Sequence, residues 1–137
     1  IDMADAVSTT TIVDDDKRLV VQLTNLSDST GESAVTKVDV SGLATRSFDG
    51  ATCTGVKINK IFHSIVGFTQ VQLFWDATTN TVAIALAQDS NGHMDFSTFG
   101  GLQNTSGSGK TGDILLTTIG AASNDSYVIV LDCVKSF

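Results

Sequence analysis

The sequence contains no proline, a single glutamate and few charged residues. Charged side chains make up 17% of the 137 residues, below the ~25% typical of globular domains. Glu32 is the single glutamate, and every other acidic residue is an aspartate. Because glutamate favours helices whereas aspartate favours caps and turns, this balance predicts strands joined by tight turns. The apolar share of 42% argues against disorder and is enough for one hydrophobic core.

Basic residues are also scarce, and long apolar runs are missing. The chain has 8 Lys and Arg against 15 Asp and Glu, which gives a net charge of −7. We expect no nucleic-acid partner, because binding to DNA or RNA requires cations against phosphates. We expect no membrane partner, because no apolar run approaches the ~20 residues that span a bilayer. The N-terminus lacks the pattern of a secretory signal, and Met3 is a candidate start that leaves Ile1 and Asp2 as additional residues.

Apolar and polar residues alternate along much of the chain with the period of β-strands. In "RLVVQLTNL" the alternation places Leu19, Val21 and Leu23 on one face. The runs "TQVQLFWD" and "TVAIALA", separated by "ATTN", predict a hairpin. The runs "GDILLTTIG" and "SYVIVLDCVKSF", joined by "AASND", predict a second pair. The last of these runs is apolar on both faces, which predicts an inner strand or an interface.

Two strands and one loop carry finer predictions. In "TGVKINKIFHSIV" the inward positions change parity, which predicts a bulge near residues 59–60. In "SAVTKVDVS" strict alternation places Lys37 with Val35 on one face and Val38 on the other. The loop 88–111 is the longest, and a short strand is predicted in it near "HMDFSTF".

No segment shows a helical period with caps, and about eight strands are predicted. We therefore predict an all-β fold, a two-sheet antiparallel sandwich of jelly-roll-like type. Residues 1–18 are predicted to be a polar N-terminal arm, and residues 19–137 a single β-sandwich domain.

The stretch "NTSGSGKT", residues 104–111, is similar to part of a phosphate-binding P-loop. That motif requires G-x-x-x-x-G-K-[ST] between a strand and a helix. Here Asn104 replaces the first glycine, and the residues after Thr111 have a strand pattern. Without a helix N-terminus there is no row of free N–H groups for a phosphate. The sequence therefore predicts a flexible turn at this position, with Lys110 outside any nucleotide site.

Carboxylates and histidines give no clear catalytic or metal-binding pattern. Asp14, Asp15 and Asp16 do not have the spacing of a calcium loop, so we predict a solvated turn before a strand. The segment 89–95 resembles part of such a loop but lacks its glutamate, and is also predicted to be a turn.

His63 and His93 are the two histidines, and neither has a nucleophile or metal ligand near it in the sequence. Glu32 lies in a turn, and Trp75 alternates with glutamines, which predicts core packing. We therefore predict that the protein is not an enzyme, with no catalytic, cofactor-binding or metal-binding residues.

Cys53 and Cys133 belong to neither a C-x-x-C motif nor a Cys/His cluster. Two buried thiols are the expectation, with a disulfide between them as the alternative.

Three stretches of the chain, residues 3–43, 53–77 and 111–137, resemble small virion structural proteins of tailed bacteriophages, particularly marine phages. The resemblance rests on "LTNLSDSTGESAVTKVDVS", "VQLFWDA" and "TGDILLTT" followed by "YVIVL". It implies a β-sandwich module on the particle surface, located in the virion after assembly in the bacterial host cytoplasm. It supplies no catalytic residues.

The expected function is a capsid decoration or cement protein that binds the major capsid protein or other virion proteins. A homo-oligomer, trimer or dimer, is expected from the two apolar faces of the last strand. The alternatives are a neck or tail structural protein, a glycan-binding sandwich module with an exposed aromatic platform near Trp75 and the 88–111 loop, and an enzyme with His63 or His93 beside a carboxylate in a deep pocket.

Overall fold

The computed structural model describes residues 5–137, so Met3, the candidate start, lies outside the described residues together with Ile1 and Asp2. Residues 5–137 form nine β-strands and two short 3₁₀ helices, Val40–Gly42 and Ser97–Phe99. Neither helix has the length and hydropathy needed to cross a bilayer. The strands are β1 (Ala6–Asp14), β2 (Arg18–Asp28), β3 (Val35–Val38), β4 (Gly55–Val66), β5 (Gln70–Trp75), β6 (Thr81–Ala87), β7 (Asn91–Asp95), β8 (Ile114–Ile119) and β9 (Ser123–Ser136).

The strands form two sheets. One has five strands in the order β1-β2-β9-β4-β7, and the other has four in the order β3-β8-β5-β6. All neighbouring strands in residues 5–137 are antiparallel. The predicted all-β, two-sheet antiparallel sandwich is therefore confirmed.

The eight strands from β2 through β9 pair in a nested order. β2 pairs with β9, β3 with β8, β4 with β7 and β5 with β6, so the first strand pairs with the last and each inner pair follows the same rule. This is the arrangement of an eight-stranded jelly roll, in which a long hairpin is wrapped into two sheets. The ninth strand, β1, is added beside β2 at the edge of the larger sheet.

The core lies between the two sheets and is built by alternating residues. On β5, Val71, Leu73 and Trp75 are buried while the residues that alternate with them are half-buried, and Trp75 is 1% exposed. Its predicted core role is therefore confirmed. Burying a leucine or isoleucine side chain stabilises a fold by about 1.5–3 kcal/mol relative to leaving it exposed. The largest fully buried side chains are Trp75, Tyr127, Phe68, Leu19, Leu23, Ile58, Ile61, Leu73, Leu86, Ile114, Leu116 and Ile129.

Two bulges change which residues face the core. The register of β4 against β9 shifts between Ile58 and Lys60, which confirms the predicted bulge. β3 also shifts, between Thr36 and Val38, so that Lys37 and Val38 are both buried. Strict alternation, which placed these two residues on opposite faces, is therefore wrong for β3, because a bulge adds one residue to one strand of a pair.

The predicted pairings have mixed outcomes. The β5–β6 hairpin is confirmed, with Gln70 opposite Ala87. The predicted pair of β8 with β9 is wrong. β8 pairs with β3 and β5 in one sheet, whereas β9 lies between β2 and β4 in the other. The short link between them therefore crosses from sheet to sheet. β9 is an inner strand, as its two apolar faces predicted.

Part of the segment predicted to be an N-terminal arm, residues 1–18, is a strand of the larger sheet. Ala6–Asp14 form β1, which is paired along its length with β2. This strand has no apolar alternation in the sequence, because residues 6–12 are exposed on both faces. A short strand, β7, overlaps the first three residues of "HMDFSTF", where a strand was predicted, and the rest of that stretch contains the second 3₁₀ helix. Because β7 begins at Asn91, the turn predicted over residues 89–95 is wrong for residues 91–95.

Candidate functional site

The free edge of β1 is the feature of the fold best suited to contact another protein. Within residues 5–137, β1 is paired with β2 on one side only, so its other side carries backbone N–H and C=O groups with no strand partner there. Its first seven residues are exposed, with Val7 at 47% and Ile12 at 54%. Residues 6–13 carry no charged side chain and no proline. A strand of this kind is a template for pairing with another chain.

The other edges in residues 5–137 are better protected. β3 has four residues and a bulge, and β7 has five residues that include His93 and Asp95. Short length and charges both reduce pairing with foreign strands, as do bulges, one of which β1 also has between Thr11 and Val13. β6 is uncharged, but four of its seven residues are half-buried or buried. β1 is therefore the longest and most accessible of these edges.

Asp5 fixes the start of β1. Its carboxylate accepts hydrogen bonds from Asn25 Nδ2 at 3.0 Å and from the Ser27 hydroxyl at 3.2 Å. It also accepts the backbone N–H groups of Asp28 and Gly31, at 3.2 and 3.1 Å. Burial opposes ionisation, but these bonds together lower the pKa of Asp5 below its ordinary value. The start of β1 is therefore held to β2 and to the loop that follows β2.

Asp14 fixes the other end of β1. Its Oδ1 lies 2.6 Å from Nζ of Lys135, a side chain of β9 that is fully buried. The same ammonium group donates to the carbonyl oxygens of Asp15 and Ala44, both at 2.8 Å. Asp14 Oδ2 accepts the N–H of Ala44 at 2.8 Å. Because both ends are fixed, β1 is held extended before any partner binds.

The outer face of the five-stranded sheet, the side away from the core, is partly apolar. Phe62, Val66 and Val128 are 41–55% exposed, as is Leu26. Phe62 of β4 lies opposite Val130 of β9, and Val128 of β9 lies opposite Thr24 of β2. The exposed apolar side chains therefore lie on adjacent strands. Serine and threonine residues lie between them. The surface therefore offers apolar contact area without one continuous hydrophobic patch.

A buried polar network lies at one end of the sandwich. Glu32 Oε1 accepts hydrogen bonds from Tyr127 Oη at 2.6 Å and from Asn25 Nδ2 at 2.7 Å. Glu32 Oε2 lies 2.5 Å from Lys37 Nζ, and both side chains are at most 5% exposed. Burial, together with the nearby Glu32 carboxylate, raises the pKa of Tyr127 well above its ordinary value. The turn position predicted for Glu32 is correct, but its burial and its four-residue network were not predicted.

The three consecutive aspartates fix a turn and a neighbouring loop. Asp15 accepts the N–H groups of Lys17 and Arg18, at 2.9 and 2.7 Å. Asp16 accepts both the N–H of Ser47, at 2.9 Å, and the Ser47 hydroxyl. These hydrogen bonds lower the pKa of both carboxyl groups. The predicted turn is present, and its carboxylates are used as acceptors for protein donors.

The P-loop-like segment leads into a strand. β8 begins at Ile114, as the sequence predicted. Thr111 Oγ1 donates to Asp76 Oδ2 at 2.8 Å, and the N–H of Thr78 donates to the carbonyl of Ser108 at 3.2 Å. Gly109 has a φ of +77° and lies against Thr78, where a Cβ would clash with the threonine hydroxyl. The segment therefore packs on the turn of the β5–β6 hairpin.

The histidines and the tryptophan do not form the sites considered from the sequence. Nδ1 of His63 lies 3.4 Å from the hydroxyl of Ser90, and the ring of His93 stacks on Phe62 at 5.5 Å. Within residues 5–137, neither histidine forms an ion pair with a carboxylate. Trp75 is buried and is therefore not part of an exposed aromatic platform, whereas Phe99 in the 88–111 loop is 65% exposed.

Cys53 and Cys133 are both buried free thiols, as expected from the sequence. Cys53 Sγ donates to the carbonyl of Gly55 at 3.2 Å. Burial raises the pKa of Cys133 to about 12. A thiol with this pKa is inert at neutral pH, because the thiolate is the reactive form.

No family model matches the chain, and no curated protein matches it significantly.

Proposed function

We propose that this chain is a non-enzymatic structural protein of a bacteriophage virion, a capsid decoration or cement protein that binds the shell of major capsid protein. The free edge of β1 is the observation that carries the proposal. The edge is nine residues long, uncharged over residues 6–13 and fixed at both ends by Asp5 and Asp14. The resemblance of three stretches of the chain to phage virion proteins supports the same function.

The mechanism is strand addition. An extended segment of a neighbouring virion protein pairs with β1 through main-chain hydrogen bonds, and side chains of β1 give the contact its specificity. Because β1 is already extended, little conformational entropy is lost on its side of the contact. Such a contact is modest alone, but many copies on a symmetric shell add up to firm attachment.

The fold and the charge are compatible with this function. Jelly rolls occur in viral capsid domains and also in lectins, so the fold alone does not select a function. The net charge of −7 keeps free subunits soluble before assembly. A dimer or trimer would use the outer face of the five-stranded sheet, where Phe62, Val66 and Val128 are exposed.

The test uses the major capsid protein encoded in the same genome as this chain. Shells assembled from it are mixed with the purified chain and sedimented. We expect saturable binding at a fixed number of chains per capsid subunit. A reconstruction of the intact particle separates the alternatives, because a neck or tail protein would appear in few copies at one vertex. Absence of the chain from purified particles by mass spectrometry would overturn the proposal.

A further inference from the structure

A polar cleft lies between the start of β4 and the loop before β8. Its volume is about 380 Å³, at the lower end of the range of small-molecule sites. Its lining residues include Lys57, Asn104 and Lys110, together with Thr54 and Ser136. No carboxylate lines the cleft within residues 5–137. This composition is unusual in a protein with nearly twice as many acidic as basic residues.

The two lysines of the cleft form no ion pair within residues 5–137. In the described part of the chain, four basic side chains form ion pairs with aspartate or glutamate: Arg18, Lys37, Arg46 and Lys135. Four lysines form no such pair, and two of these, Lys57 and Lys110, line the same cleft. Cations that converge on one concave surface raise the local concentration of anions.

Asn104 adds a hydrogen-bond donor. Its Oδ1 accepts the N–H of Ser106 at 2.9 Å and the Ser106 hydroxyl at 2.5 Å. These bonds fix the orientation of the amide. Its Nδ2 group, which has no protein acceptor in residues 5–137, therefore remains as a donor at the cleft.

The walls of the cleft are fixed by backbone contacts. Ile58 and Leu102 exchange both N–H to C=O hydrogen bonds, at 3.1 and 2.7 Å, which fastens one end of the loop to β4. At the other end Gly112, with a φ of +89°, packs so closely on Thr54 that a Cβ would lie 2.3 Å from the Thr54 carbonyl oxygen. The backbone around the cleft is therefore held in place before a ligand arrives, which lowers the entropic cost of binding.

We propose that this cleft binds the oxyanion group of a small ligand, up to the size of a monosaccharide. Lys57 and Lys110 neutralise the phosphate, sulfate or carboxylate group, and Asn104 donates a hydrogen bond to it. Hydroxyl groups of the rest of the ligand would contact Thr54 and Ser136. None of the residues that line the cleft belongs to β1, so this proposal does not depend on the proposed role of β1.

The test is an NMR titration of the intact ¹⁵N-labelled chain at low salt with inorganic phosphate, glucuronate and glucose. We expect saturating shifts centred on the amides of Lys57, Asn104 and Gly112 with phosphate or glucuronate. Tighter binding of glucuronate than of phosphate would identify a sugar acid, and the reverse would identify a free ion. Glucose, which lacks an anionic group, should cause no saturating shift.

Lys57→Gln and Lys110→Gln should each weaken binding by about tenfold, the effect of one hydrogen bond to a charged group. Lys60→Gln is the matched control, since it removes the same charge from the same strand outside the cleft, and it should leave the affinity within about twofold. Thermal melts check that all variants are folded. The proposal would be overturned by any of three results. These are equal chemical-shift changes with glucose, an equal loss of affinity in Lys60→Gln, and no saturation with any anion up to tens of millimolar.

Discussion

Lys37 Nζ lies 2.5 Å from Glu32 Oε2, and the pair is buried between the two sheets. Lys37 belongs to β3 in the smaller sheet, whereas the other oxygen of Glu32 is bonded to Asn25 on β2 and Tyr127 on β9 in the larger sheet. The single glutamate of the chain therefore links the two layers of the jelly roll at the end where Asp5 fixes β1.

Glu32→Gln should be strongly destabilising. The substitution keeps an acceptor for Tyr127 but leaves the Lys37 charge buried without its partner, which costs about 3–5 kcal/mol. Urea denaturation measures the free energy of unfolding. The double variant Glu32→Gln with Lys37→Met should recover much of the loss, since it leaves no unpaired charge. Additive effects of the two substitutions would contradict the buried ion pair. The exposed pair of Arg46 and Asp49 is the control, and Asp49→Asn should have a much smaller effect.

The aspartate turn should make stability fall in acid. The pKa values of Asp15 and Asp16 are lower in the folded chain than the ordinary value of 3.8. A carboxyl group with a lowered folded pKa stabilises the fold above its unfolded pKa, and this contribution is lost as the pH falls through the folded pKa. Asp16→Ala should therefore lower the melting temperature at pH 7. The melting temperatures of the variant and the wild type should converge as the pH falls from about 5 to about 2. A constant difference across that range would contradict this account.

Asp113→Asn should be stabilising. Burial, together with the charges of Asp39 and Asp76, raises the pKa of Asp113, although its Oδ1 accepts the N–H of Val40 at 2.9 Å. A raised folded pKa of a carboxyl group means that its charge opposes folding at neutral pH, and that this penalty disappears below the unfolded pKa. Asparagine keeps the acceptor without the charge, so the melting temperature should rise by about 2 °C at pH 7 and not at low pH.

Asp113→Ala is the control for that experiment, because it removes both the charge and the acceptor for Val40. It should be less stable than Asp113→Asn at every pH. Equal melting temperatures of the two variants at pH 7 would show that the hydrogen bond to Val40 contributes nothing measurable.

Much of the fold could be predicted from the sequence, because a strand that is buried on one face alternates apolar and polar residues with a period of two. Leu19, Val21 and Leu23 alternate on β2 as predicted, and β9, which is apolar on both faces, is an inner strand. The pairing of β8 could not be predicted in this way. The alternation identifies a strand but not its neighbours, and a short link between two strands allows either a hairpin or a crossing between sheets.

The parts of the candidate site that the sequence did not predict are those with weak local signals. β1 has no buried face, so its threonines show no alternation. The burial of Lys37 depends on a one-residue bulge, which shifts every residue after it to the other face. One sequence signal for the buried ion pair was available: the single glutamate, Glu32, lies five residues before Lys37, which is the one charged residue of β3.

A charge on the free edge of β1 should block binding to the shell. Thr10 lies in the middle of β1, opposite Gln22, and is exposed. Thr10→Lys places a charge on the edge, as natural proteins do to prevent strand pairing, and should weaken shell binding by about tenfold or more. Thr79→Lys adds the same charge in the exposed turn before β6 and should bind like the wild type. Equal binding of the two variants would contradict a role of this edge.

Hydrogen exchange of the β1 amides tests strand addition most directly. Exchange is measured by mass spectrometry for the free chain and for the chain bound to shells. On the free edge, alternate amides of Ala6–Asp14 have no strand partner in the described structure and should exchange rapidly. We predict that they become protected on binding, because a neighbouring strand accepts their hydrogen bonds. Unchanged exchange in β1, with new protection elsewhere in a bound chain, would contradict the account.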